Sequence, residues 1–330
     1  MKRCVAVLTA VVLVLAISLP VFAAPQKEAK KELTFLYVPG ETDPFYFSIE
    51  KGAKEKAAEL GINLVVTEYP KTWGPEIQVP ILEAAVARGG IDLVIIAPTS
   101  NDALITPLKK IYDQGIEIIT VDIYLGDGDY SKQSDYSFPL AYIGSDNRLG
   151  GVRVAEKMAE ILGKTGKVYC NTTSPDVSST QDRYLGFRDG IAKFPRMQLA
   201  GVDYNLEQQQ KAQQQTFATL QANPDIKGIF GTNIWSAQGA YQAVVNAGLT
   251  GAVKIAAWDA SQDLINALKE GKVDFILAQK PREMGSLCVE WGYKYLKEGA
   301  SVPKKVIPGF EFFTRENASD PDMQKWIYGK

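Results

Sequence analysis

Ile91-Asp92-Leu93-Val94-Ile95-Ile96-Ala97 is an apolar run interrupted by one polar side chain, and Pro98-Thr99-Ser100-Asn101 follows it directly. It is too short for a helix of ordinary length and rich in β-branched residues. It therefore reads as a strand buried on both faces, as in a parallel sheet covered by helices. Its flanks agree. Residues 75–87 and 101–114 carry helical spacing, and 116–121 (IEIITV) is a second apolar strand. Toward the N-terminus, 33–38 and 62–67 read as strands. Between them Pro44–Leu60 reads as a helix, with Ile49, Ala53, Ala57 and Leu60 spaced for one buried face.

The alternation restarts after Gly144. Helices are expected at 150–162, 180–193, 208–222, 237–247, 261–270 and 282–297, and strands at 167–171, 226–230 and 253–258. Repeated strand–helix units imply doubly wound parallel sheets. Two such series imply an α/β protein of two Rossmann-like domains joined by a hinge. The chain crosses between them near Ser145, Gln279 and Pro308. The expected division is 33–145 plus 280–308 against 146–279 plus 309–330, with 309–330 adding a strand and covering the hinge. A length of 330 residues suits two domains.

Composition removes several classes of function. The formal charge of −2 offers no bulk attraction to nucleic acid or to an anionic membrane. There is no histidine, so Ser-His-Asp and Cys-His catalysis are excluded and the commonest zinc ligand is missing. No metal site and no cofactor are expected. Lys2 and Arg3, an apolar run over 5–19 and Pro20-Val21-Phe22-Ala23-Ala24 form the three parts of a secretory signal, cleaved after Ala23 or Ala24. The charged stretch 25–32 reads as an exposed leader. Cys170 and Cys288 read as buried free thiols, although an oxidising compartment permits their pairing. Gly163-Lys164-Thr165-Gly166-Lys167 lacks the spacing of a phosphate loop and precedes a strand.

In open α/β sheets ligands bind beyond the carboxyl ends of the strands. The residues expected there are Asp43-Pro44-Phe45-Tyr46, Pro98-Thr99, Asp122, the segment from Ser174 to Arg183, Asn233 and Asp259. These are aromatic faces beside side chains that make several hydrogen bonds. A sugar needs both: its C–H face packs on a ring, and each hydroxyl needs a partner once water is removed. Each residue also has a plainer reading. One of Phe45, Tyr46 and Phe47 belongs to the core, Asp122 could be a loop carboxylate, and Arg183 could pair with Asp182 or Glu207 on a solvated helix face. Trp73 divides between loop packing and ligand stacking, and Ser145 between backbone and ligand roles. Asp146 is read as a hinge or helix-capping residue.

At these positions the chain resembles the periplasmic ribose-binding protein family, the type I sugar-binding proteins of ABC transporters, over about residues 33–308. Asp43-Pro44-Phe45-Tyr46 is similar to the family's Asn-Pro-Phe-Phe, whose rings sandwich the sugar. Ile143-Gly144-Ser145-Asp146-Asn147-Arg148-Leu149-Gly150-Gly151 resembles its S-D-N-x-x-G-G crossing. Arg183-Tyr184-Leu185-Gly186-Phe187 resembles R-x-x-G-F, whose arginine binds sugar oxygens. Asp122, Asn233, the pair Trp258-Asp259 and the hinge-side Gln279 fall on further binding positions. The resemblance thus implies a ligand set of Asp43, Phe45, Tyr46, Asp122, Ser145, Arg183, Asn233, Trp258, Asp259 and Gln279, to which Trp73, in the loop after the second strand, is added as a residue expected to lean over the cleft. Three departures put ribose itself in doubt: Ala97 replaces an asparagine, Ile123 an arginine, and Asp43 an asparagine.

The implied function is a monomeric, non-catalytic periplasmic receptor that closes on a neutral monosaccharide or polyol. It would present the closed form to a membrane permease, or to a chemoreceptor. Three rivals stay open. They are a sugar-acting enzyme using Asp122 and Asp259, a repressor effector domain (for which the DNA-reading helix-turn-helix is lacking), and a binder of furanosyl signals of the autoinducer type.

Overall fold

The computed structural model describes residues 32–329. The signal-sequence reading of 1–24 and the leader reading of 25–32, apart from Glu32, lie outside them. The apolar run at 91–97 forms β3 (Leu93–Ile96), with every residue buried. It lies between β1 (Thr34–Val38) and β4 (Glu117–Val121). With β2 (Asn63–Val66), β5 (Ala141–Ile143) and β11 (Lys305–Val306) it makes a sheet of order β2-β1-β3-β4-β5-β11, parallel throughout. The second sheet contains β6 (Gly166–Thr172), β7 (Met197–Tyr204), β8 (Ile226–Gly231), β9 (Lys254–Trp258), β10 (Phe275–Ala278) and β12 (Glu311–Phe313). Its order, β7-β6-β8-β9-β10-β12, repeats the first. Only β12, supplied by the C-terminal segment, runs antiparallel, against β10. Two parallel-sheet α/β domains of six strands each result.

The helices are α1 (Pro44–Leu60), α2 (Pro75–Val86), α3 (Ile105–Tyr112), α4 (Asn147–Ile161) and α5 (Ser178–Ile191), then α6 (Gln209–Ala222), α7 (Ile234–Asn246), α8 (Gln262–Lys269), α9 (Pro281–Glu298) and the short α10 (Pro321–Gln324). Helix α1 shows why the sequence starts and stops where it does. Asp43 accepts a hydrogen bond from Phe45 N at 2.6 Å, Pro44 opens the first turn, and Gly61 closes the helix at φ 65°. Helix α4 begins earlier than the expected residue 150. Asp146 Oδ1 accepts from Leu149 N at 3.0 Å and so caps a helix that starts at Asn147. Helix α3 is shorter than expected, because residues 101–104 form turns before Ile105.

Two helix pairs pack through glycine. A Cβ on Gly151 of α4 would lie 2.1 Å from Arg183 O, and one on Gly186 of α5 would lie 2.1 Å from Arg148 O. Helices α1 and α9 repeat the arrangement, with Gly52 against Arg282 O at 1.8 Å and Gly285 against Ile49 O at 2.0 Å. The backbones touch because neither helix carries a side chain at the crossing. Cys170 in β6 and Cys288 in α9 are free and buried, and burial pushes both thiols upward, so they stay protonated.

Candidate ligand-binding site

Both sheets direct the carboxyl ends of their strands at one small cavity. The loop after β1 contributes Glu41 and Asp43, and the first turn of α1 contributes Phe45 and Tyr46. The loop after β2 contributes Trp73, and the turn after β4 contributes Asp122. From the second domain come Arg183 on α5, Asn233 after β8, Asp259 after β9 and Gln279 after β10. Nine sequence-selected residues (Asp43, Phe45, Tyr46, Trp73, Asp122, Arg183, Asn233, Asp259 and Gln279) therefore share a single enclosure. Phe47, the third aromatic of its trio, points outward and is 41% exposed.

Arg183 organises the second-domain half. Its Nε donates to Asn147 Oδ1 at 2.9 Å and its Nη1 to Thr232 O at 2.9 Å. Nη2 lies 3.7 Å from Asp122 Oδ1, and Nη1 lies 3.9 Å from Asp259 Oδ2. Underneath, the Trp258 ring centroid is 4.4 Å from the guanidinium carbon. A cation over an aromatic face out of water is held by about 2 kcal/mol or more. The side chain is 3% exposed, so it does not form a pair on a solvated helix face. Asp182, its other suggested partner, instead accepts from Tyr124 Oη at 2.7 Å.

Two selected residues do not line the cavity. Trp258 is fully buried behind Arg183, with its six-membered ring toward Gly150 and Phe310. Ser145 donates to Gln279 Oε1 at 2.7 Å and so holds the hinge-side glutamine. Trp73 does reach the cavity, and it packs against Gly40 beside Tyr46. A Cβ on Gly40 would lie 2.7 Å from the Tyr46 ring and 2.9 Å from Trp73.

Sequence reasoning missed Glu41 and Glu207. Glu41 lies in the same loop as Asp43. Glu207 follows β7, a strand that was not recognised, so the loop after it went unread. Glu41 accepts from Trp235 Nε1 at 3.0 Å across the cleft, and Glu207 accepts from Asn233 Nδ2. Burial, and then the charge of Glu207, push Glu41 up to about 8. Burial pushes Glu207 up to about 8 as well, against the lowering effect of Asn233. Burial also raises Asp122 to about 6, opposed by Arg183 and Tyr46. Asp43 and Asp259 are raised by burial too. Five carboxyl groups thus surround one guanidinium. Asp122 Oδ2 accepts from Tyr46 Oη at 3.1 Å, while its buried Oδ1 has no hydrogen-bond partner among the described residues. Val177, Ser179 and Thr180 complete the wall, from the segment already marked after β6.

A cleft closed by two like domains, rich in acceptors and aromatic faces, defines a solute-binding protein of the two-domain type. Residues 35–301 match the periplasmic binding protein domain model. The ribose import binding protein of Salmonella typhimurium is 29% identical over 295 residues, covering 89% of this chain and 94% of that one. Among solved structures, an ABC transporter solute-binding protein from Agrobacterium vitis bound with α-D-tagatopyranose is 38% identical. It superposes with a TM-score of 0.88, covering 91% of this chain and all of its own. A second Agrobacterium vitis solute-binding protein, with bound D-fucose, is 27% identical at a TM-score of 0.81 and covers 89% and 100%. The chain belongs to the periplasmic binding protein domain family.

Proposed function

We infer that this chain is the periplasmic receptor of an ABC sugar importer and closes on a neutral monosaccharide or polyol. The observation that carries this reading is the convergence of nine sequence-selected residues from both domains on one cavity. Carboxylates accept from hydroxyl groups, Arg183 and Asn233 donate, and Phe45, Tyr46 and Trp73 offer ring faces to the sugar's C–H surface. One guanidinium among five carboxyl groups disfavours phosphorylated or uronic ligands, which would need more cations. The relatives named above are sugar-binding transport proteins. We read Asp122 and Asp259 as hydrogen-bond acceptors that share Arg183, not as an acid–nucleophile pair.

Closure works by differential affinity. The cross-cleft contacts Trp235–Glu41, Tyr124–Asp182 and Arg183–Asp122 belong to the closed form. A ligand whose hydroxyls meet both walls adds its own bonds only there. We propose a hinge at Ser145, Gln279 and Pro308, between domains 33–145 plus 280–308 and 146–279 plus 309–330. A permease in the membrane would read the closed form. Among the described residues no helix is long and apolar enough to cross a membrane.

The test is a thermal-shift screen of protein stripped of ligand by partial unfolding, against pentoses, hexoses, pentitols and inositols. At a hundredfold excess over the dissociation constant, linkage adds about 2.7 kcal/mol of stability. A strong, selective shift supports the reading. A blank panel with these neutral ligands contradicts it and favours a furanosyl signal or another solute.

A further inference from the structure

The segment that follows the family match at 35–301 brings Tyr328 to the junction of the two domains. Tyr328 is 3% exposed, and its hydroxyl sits where the two domains meet. It accepts from Gln279 N at 2.7 Å and donates to Asp259 Oδ1 at 3.0 Å. Gln279 Nε2 donates to the same Asp259 oxygen at 2.9 Å, and Gln279 Oε1 accepts from Ser145. The ring packs edge-on against Phe45 with centroids 5.7 Å apart. The next residue, Gly329, donates from N to Ser48 Oγ of α1 at 2.9 Å, while Tyr328 N donates to Ala260 O at 2.9 Å. One turn of chain is therefore tied to a carboxylate of the second domain and to the aromatic helix of the first.

We propose that Tyr328 is a positioning residue for sugar recognition, holding Asp259, Gln279 and Phe45 in one arrangement across the hinge. The proposal rests on the sugar-receptor reading above. The physical reason lies in the end of β10. Gln279 is fully buried and its backbone N–H falls just past the last paired residue of the strand, where it needs an acceptor. The phenol supplies that acceptor and donates its own O–H to Asp259 Oδ1. Burial holds the phenol protonated, so it remains a donor. With Oδ1 of Asp259 occupied twice, Oδ2 is left toward Arg183 and the cavity. Loss of the hydroxyl would leave a buried N–H unpaired and free the carboxylate to turn.

Tyr328→Phe keeps the ring on Phe45 and removes only the hydroxyl. With D-tagatose, or the best monosaccharide from the screen, as calorimetric probe, Tyr328→Phe is expected to weaken binding by about tenfold, the scale of one hydrogen bond to a charged group. In an Asp259→Asn background the same change should cost little, because the residue it acts through has already been altered. A second measurement needs no sugar. The ¹³C titration of the Asp259 carboxyl should move upward in Tyr328→Phe, since the phenol donates to its charged form. Equal affinity losses in both backgrounds, or unchanged affinity, together with an unmoved Asp259 titration, would overturn the proposal. Failure of every sugar to bind wild type would instead count against the receptor reading, and the carboxyl titration would still decide the role of Tyr328.

Discussion

Asp122 and Asp259 occupy equivalent places in the two sheets. Each stands one residue past a corresponding strand, β4 and β9, and each adopts a left-handed backbone, at φ 63° and 78°. Aspartate and asparagine tolerate that region better than other residues with a side chain. The turn sends both carboxylates back toward Arg183, from opposite walls of the cleft. Asp122→Asn preserves the backbone preference and shape while removing the charged acceptor. It is expected to weaken sugar binding by about 1.5–3 kcal/mol, the range for hydrogen bonds to charged groups. Calorimetry checks this, and unchanged affinity would remove Asp122 from the ligand contacts.

Glu41 and Glu207 give the protein a pH dependence of definite sign. Their folded forms titrate near 8, against an ordinary value of 4.5, so the native state holds these protons more tightly than the unfolded chain. The stability they confer is complete below about 4.5 and is lost as pH rises through about 8. Asp122, raised to about 6, acts in the same direction. The melting temperature of the closed, sugar-saturated protein should show a downward contribution across that window. Glu207→Gln, neutral at every pH, should flatten it and melt higher than wild type at pH 8.5. A parallel pair of melting curves would contradict the pairing.

The glycines at the α4–α5 crossing predict a loss of stability on a minimal change. In Gly151→Ala the added methyl would meet Arg183 O at 2.1 Å, and backbone cannot turn aside as a side chain can. Overpacking of this kind costs about 1–3 kcal/mol, measurable by urea unfolding. Because the displaced helix carries Arg183, binding should weaken as well. A variant as stable as wild type would show that the helices separate at no cost.

Trp73 is half-buried, and its ring lines the cavity beside Tyr46. Trp73→Ala is expected to cost about 0.5–1.5 kcal/mol of binding beyond the area lost, as aromatic contacts do. Its effect on ligand-free melting should be small. The reverse pattern, with stability lost and binding kept, would make it a packing residue of the loop.

Much of this site was legible because doubly wound sheets fix where a side chain after a strand must go. Asp43, Asp122, Asn233 and Asp259 were found from strand ends alone. The glycine motifs at 150–151 and 186 were legible as letters; the helix crossing supplies the reason for Gly151 and Gly186, and the Trp258 ring the reason for Gly150. Four strands were missed. β5 spans three residues, β10 spans four, β11 spans only two at an edge, and β7 is an edge strand whose mixed burial breaks the apolar signal. Missing β7 hid Glu207. The orientation of Trp258 was beyond periodicity, because the direction in which an indole turns from a strand end is set by Gly150, Arg183 and Phe310 together. Tyr328 lay outside any repeat, so only the folded chain brings it to Asp259.

The most direct measurement is isothermal titration of ligand-stripped wild type and Arg183→Ala with the strongest monosaccharide from the screen. A single sugar held between both walls predicts one site per chain in wild type. Arg183→Ala should then bind about ten- to a hundredfold more weakly, the equivalent of about 1.5–3 kcal/mol. Identical isotherms for the two proteins would place the sugar elsewhere, and the absence of heat with every monosaccharide would contradict the receptor reading.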